Sequence, residues 1–261
     1  MKESKNKIKG ILVNYLLALA LPVAIIILWQ VSYDNKIIPP SQSSSPLVIL
    51  KTLVTLIQNS SLLDNLLLSM VRLLIGVFFG AVIGIIVGIL TSTKIIFNKM
   101  LAPSIQFFSG IPIIIWIPFW IMIFGLGESF KIGMVSILTF FLVYGSTYQA
   151  ITSIDKSFLE LSSLYQKKFL DMIRQIYLPY SFYSILGSIR LSLMIGWIVL
   201  FFVEYSISFE GKEGLGWFIA NARGVGKVDD EFVGLICLGF SAIICDIVIV
   251  YFQKRSIRWK K

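Results

Sequence analysis

The chain has 261 residues, of which 57% are hydrophobic and only 14% charged, with 20 phenylalanines, a mean hydropathy of +0.86 and a formal net charge of +9. One soluble core of this size cannot keep so much apolar surface dry, so composition excludes a water-soluble globular domain and places the chain in a bilayer. Histidine is absent, which removes any His-based metal site, catalytic triad or imidazole proton relay.

A helix needs about 20 mostly apolar residues to cross about 30 Å of hydrocarbon. Runs of that kind predict six spans, at about 11–31, 70–92, 102–126, 132–154, 184–205 and 232–252. The first follows the lysine-rich MKESKNKIKG. It is longer than the apolar region of a secretory signal and no small-x-small cleavage motif follows Trp29, so it is expected to remain as a span. Lys2, Lys5, Lys7, Lys9, Lys94, Lys99, Lys156, Lys167, Lys168, Arg174, Lys254, Arg255, Arg258, Lys260 and Lys261 fall on one side of this arrangement. The other side holds only Lys36, Lys51, Arg72, Lys131, Lys212, Arg223 and Lys227. The positive-inside rule therefore predicts both termini in the cytoplasm. The same bias, facing anionic lipid, accounts for the net charge without a nucleic-acid partner.

After the first span, IIPPSQSSSP reads as a turn region, and PLVILKTLVTLIQ at 46–58 has the spacing of a short amphipathic helix on the outer surface. The second span carries Gly76, Gly80, Gly84 and Gly88, a glycine at every fourth residue. Such a stripe lets another backbone approach closely. Lys99 and Glu128 bracket the third span, which as a straight helix would run about 42 Å, longer than the hydrocarbon core. Pro103, Pro112 and Pro118 predict a kinked or partly unwound segment there, with a pathway lining and a kinked packing helix both open for Pro112 and Pro118. The fourth span follows without a motif of its own.

Between the fourth and fifth spans, ELSSLYQKKFLDMIRQIYLP places Leu161, Leu164, Tyr165, Phe169, Met172, Ile173 and Ile176 at helical spacing on the cytoplasmic side. Charged and amide side chains take the remaining face. Pro179 is expected to end this helix and fix the approach to the fifth span. Arg190 enters that span from the inside, and Glu204 marks its outer end as a candidate for pathway or packing. Asp246 lies deep in the sixth span at a matching depth, so an Arg190–Asp246 ion pair is expected to hold the two helices together. A glycine-rich outer loop with a short helix around 216–222 joins them. Cys237 and Cys245 are about 12 Å apart along a helix, too far for a disulfide. No G-x-x-x-x-G-K-[ST] motif occurs, so ATP, if it is used, must be bound by another chain.

The loop motif resembles the cytoplasmic signature of the membrane subunits of bacterial type I ABC importers, written E-A-A, then Gly, then I-x-L-P. Glu160, Ile176, Leu178 and Pro179 stand at the family spacing, whereas Leu161 and Ser162 replace Ala-Ala and Gln166 replaces the Gly. RLLIGVFFGAVIGIIVGIL, IPIIIWIPFWIMIFGLGE, FVEYSISFEGKEGLGWFIANAR and the closing RSIRWKK resemble the subgroup associated with sulfonates, taurine, nitrate or pyrimidine vitamin precursors. The resemblance implies an all-α integral membrane protein of the type I importer permease fold, with six transmembrane helices and cytoplasmic termini, in the bacterial inner membrane. By that resemblance, residues 1–61 form an N-terminal span and outer connector, 62–253 the transport domain with its coupling loop at 155–182, and 254–261 a basic tail. It also implies a homodimer of permeases and two copies of an ATPase subunit carrying ATP and Mg, with no cofactor on this chain. A solute-binding protein would dock outside. A self-sufficient secondary transporter is the alternative; it predicts inverted repeats and an intramembrane ion site, for which the sequence offers little.

Overall fold

The computed structural model describes residues 19–37, 39, 43–155, 168–206 and 214–256. Among these no strand occurs. The helices are α1 (Leu19–Asp34), α2 (Pro46–Gln58), α3 (Ser61–Thr93), α4 (Ile95–Ser109), α5 (Ile117–Phe124), α6 (Glu128–Thr152), α7 (Phe169–Ser206), α8 (Leu215–Gly224) and α9 (Val228–Ser256). α3, α6, α7 and α9 are long and apolar enough to cross a bilayer, and the bent pair α4–α5 makes a fifth span if counted as one. The described part of α1 is shorter than a span, and residues 11–18 of the first expected run lie outside the described residues.

Two compact units divide the chain. The first comprises α1, α2 and Ile219–Ile236. α2 starts where Ser45 caps it, its Oγ accepting from the Val48 N–H at 3.1 Å, with Pro46 in the first turn where its missing N–H costs nothing. Trp29 tilts against Phe232 at 5.5 Å between ring centroids and donates its Nε1–H to Ser43 at 3.2 Å.

The second unit holds α3 to α7, Leu215–Phe218 and the part of α9 from Cys237. Its organising contact is the glycine stripe of α3 laid on α6. A Cβ at Gly76 would stand 2.6 Å from Val135 Cβ, at Gly80 2.3 Å from the Ser136 carbonyl, at Gly84 3.0 Å from the Phe140 carbonyl, and at Gly88 2.8 Å from Thr147 Cβ. These partners ascend together, so α3 and α6 run parallel. Two parallel helices adjacent in this way can be joined only by a segment that returns through the thickness of the bundle. The α4–α5 pair therefore crosses, as a span broken by a 104° bend, and is not a loop returning to its own side.

The prolines locate that bend. Pro103 is accommodated inside α4, whereas the break falls at Gly110–Pro112, with Pro112 extended (φ −53°, ψ 131°) before a 3₁₀ turn at Ile113–Trp116 and Pro118 in the first turn of α5. α5 ends on Gly125 at φ +68°, a backbone conformation that favours glycine. Ile113, Trp116, Ile117, Trp120 and Ile121 pack on the Phe130, Met134, Leu138, Val199 and Val203 cluster of α6 and α7. A second cluster, with Leu73, Val77, Leu193, Trp197, Leu200 and Cys245, joins α3, α7 and α9.

One expectation is corrected. Pro179 does not end a helix: α7 runs unbroken from Phe169 to Ser206. Immediately before the proline, residues Ile173–Tyr177 widen into a π turn in which the Leu178 N–H reaches back five residues to the Ile173 carbonyl. An α-helical proline clashes with the carbonyl four residues earlier and lacks the N–H to bond it. One extra residue in the turn moves that carbonyl aside, so the helix continues.

Candidate functional site

The Ile-x-Leu-Pro residues stand at the end of the second unit where α3 and α6 finish and α7 begins. Glu160, Leu161, Ser162 and Gln166 lie outside the described residues. From Lys168 onward the chain is described: Phe169 begins α7, and Lys94, between α3 and α4, sets its Nζ 4.3 Å from the centroid of the Phe169 ring. Ile176 and Tyr177, within the π turn, are buried against Ile89 of α3 and Ile151 and Ile154 at the end of α6. Leu178 packs partly buried against the same group. The Ile-x-Leu-Pro segment is thus a wedge between three helix ends, held by apolar contact on two sides and by the widened turn on the third.

At the opposite end of α7 stands a charged cluster that the sequence did not assemble. Arg72 of α3, 1% exposed, donates from Nη1 to Glu204 of α7 at 2.6 Å, and from Nε and Nη2 to Glu128 at 2.6 and 2.5 Å. Glu204 is equally buried. It also accepts from Ser69 Oγ at 2.7 Å and from the Gly216 N–H at 3.0 Å, at the start of α8, where the helix dipole favours a carboxylate. Ser69 in turn accepts from the Leu215 N–H at 2.8 Å. A Cβ at Gly214 would lie 2.3 Å from Glu204 Oε1 and 2.5 Å from Arg72 Nη1, so only glycine fits at this position against the pair. Lys131 adds a longer contact to Glu128 at 3.7 Å. The cluster ties α3, α6, α7 and α8 together. Its signal in the sequence was position: Arg72, Glu128 and Glu204 each stand near the outer end of an expected span.

Arg190 and Asp246 meet as a bidentate pair, with Arg190 Nε and Nη2 on the two carboxylate oxygens, the latter at 2.8 Å. Fourteen residues of α7, about 21 Å, separate Arg190 from Glu204, so the two charged groups form distinct centres. Gly80 and Gly84 lie in the α3–α6 seam, and Pro112 and Pro118 flank the bend. The structure gathers none of these four with the charged groups into one constellation. Among the described residues no group of three or more Cys, Asp or Glu is arranged to hold a metal ion.

A profile of the family described as binding-protein-dependent transport system inner membrane component matches residues 76–261. The chain is 28% identical over 247 residues to the putative aliphatic sulfonates transport permease SsuC of Bacillus subtilis (strain 168), covering 95% of this chain and 88% of that protein. It is 21% identical over 244 residues to the taurine transport system permease TauC of Escherichia coli (strain K12), covering 92% and 87%. Among solved structures, a chain of the MetNI methionine ABC transporter in an inward-facing conformation superposes with a TM-score of 0.63 at 20% identity, over 76% of this chain and 96% of that one. That likeness shows the fold.

Proposed function

Because the chain belongs to the family of binding-protein-dependent transport system inner membrane components, we propose that it is the pore-forming permease of an ATP-driven importer for small sulfonate-type anions. It is a multi-pass membrane protein. Two permease chains form the route, two copies of a separate ATPase subunit hold ATP and Mg on the cytoplasmic side, and a solute-binding protein delivers substrate from outside. The sulfonate and taurine permeases among its relatives support the substrate class.

The observation that carries the mechanism is the wedge at Ile176–Leu178. The coupling loop, with Glu160, Leu161, Ser162 and Gln166, docks on the ATPase. When the two ATPase subunits close, the loop moves, and its exit is seated on α3 and α6 as well as on α7. Motion therefore reaches three helices at once, and a packed core shifts as a body between discrete arrangements. Access changes sides when those helices move against the second copy.

Two substitutions test this in vesicles reconstituted with the ATPase and supplied with the solute-binding protein. Glu160→Lys reverses a charge at the docking surface and should lose partner association, ATP hydrolysis and uptake together. Pro179→Ala leaves the docking surface intact and removes the need for the π turn, so hydrolysis should persist with fewer substrate molecules moved per ATP. Unchanged association for Glu160→Lys and full coupling in both variants would refute the loop's role.

A further inference from the structure

Resting on that reading, we propose that the Arg190–Asp246 pair faces the water-filled route and that the Arg190 guanidinium is a contact point for the anionic substrate near the middle of α7. The two side chains are 41% and 25% exposed, in contrast to the enclosed Arg72–Glu204 pair at 1% each. Both stand well inside their spans, where hydrocarbon is a poor solvent for a charged group, so their open side cannot face lipid without penalty. Asp246 occupies Nε and Nη2, and among the described residues Nη1 has no acceptor. A guanidinium carries five N–H donors in a fixed fork, and a sulfonate or carboxylate accepts from the edge that Asp246 leaves.

Space is available beside it. Gly187, one turn away towards the loop, would meet nothing within 4 Å if it carried a Cβ, and Tyr183, two turns away on the same side, is 60% exposed. Asp246 orients the guanidinium and offsets much of its charge. The contact is thereby weak, as a transport pathway requires if substrate is to leave as well as arrive.

The test uses the full chain assembled with its ATPase in vesicles and supplied with its solute-binding protein, with Cys237 and Cys245, both free thiols, replaced by alanine. Gly187→Cys should react with a sulfonate-bearing, membrane-impermeant methanethiosulfonate, and millimolar ethanesulfonate should slow that reaction at least about threefold. Replacing the pair with the neutral Arg190→Gln and Asp246→Asn should leave Gly187→Cys reactive, abolish the protection and raise the KM for ethanesulfonate uptake about tenfold, the loss of one charge-assisted hydrogen bond. Arg190→Lys, which keeps the charge, should retain part of the protection and shows that loss in the double variant is not misfolding. Uptake of ethanesulfonate by the unsubstituted protein alongside an unreactive Gly187→Cys, or protection unaffected by the double change, would overturn this inference alone. Absence of both uptake and protection would overturn the substrate class, and the inference with it.

Discussion

At Arg72, three long helices meet on one guanidinium: its own α3, α6 through Glu128 and α7 through Glu204. Removing one partner of a buried pair leaves the other charge desolvated, which typically costs about 3–5 kcal/mol, whereas removing both can be nearly neutral. Glu204→Gln should therefore lower thermal stability in detergent by about that amount, and Arg72→Met combined with Glu204→Leu should lose less than the two single changes summed. Strict additivity would show that the pair is not coupled. Glu128, 46% exposed, can turn to water, so Glu128→Gln should cost no more than about 1 kcal/mol. Matching depth alone pairs Arg190 with Asp246, since few charges lie inside the spans. Hydropathy starts the second span at Met70 and leaves Arg72 at its edge, whereas α3 begins at Ser61 and encloses the arginine.

Among the elements, the α3–α6 seam is the one whose geometry is least forgiving. Gly80 abuts a carbonyl oxygen of α6 at 2.3 Å from a hypothetical Cβ and Gly84 one at 3.0 Å. Backbone cannot move aside as a side chain can, so Gly80→Ala should destabilise by about 1–3 kcal/mol and Gly84→Ala by less. Equal effects in thermal unfolding would mean that the seam is looser than drawn. For the π turn, deleting Gln175 takes out the extra residue and, with Pro179→Ala to permit α geometry, should leave a continuous α-helix. A π turn spends five residues on the rotation that an α turn makes with four, so the chain before the deletion keeps its phase relative to α7. Copurification with the proposed ATPase partner should therefore stay within about twofold of the unsubstituted chain. A loss of about tenfold or more would show that the widened turn itself shapes the docking surface.

For the second unit as a whole, the parallel course of α3 and α6 obliges the segment between them to cross. Single cysteines at Thr93 and at Gly127, on a chain without Cys237 and Cys245, should consequently be labelled by an impermeant thiol reagent from opposite sides of the membrane. Labelling of both from one side would make α4–α5 re-entrant and reverse every helix after it. The expected kink at the prolines anticipated a bend, but three prolines offered three places for it. The break chose Gly110–Pro112, where glycine and proline coincide, while Pro103 sits in α4 with no break.

The sequence by itself determined the membrane, the apolar middles of α3, α6, α7 and α9, the short helix at Pro46–Gln58 and the presence of a close-packed face on α3. Each of these depends on local composition or on a period of three to four residues, which the chain states wherever it occurs. Tertiary structure alone decided which helix the glycine stripe meets, that Arg72 is shared between Glu128 and Glu204, and that α7 passes through Pro179 without ending. Those outcomes depend on what is opposite in space. A buried charge takes the partner whose helix packing brings it within about 3 Å. A proline ends a helix only when packing on either side does not hold the chain helical through it; here Ile176 and Tyr177, fixed against α3 and α6, make a widened turn the lesser cost.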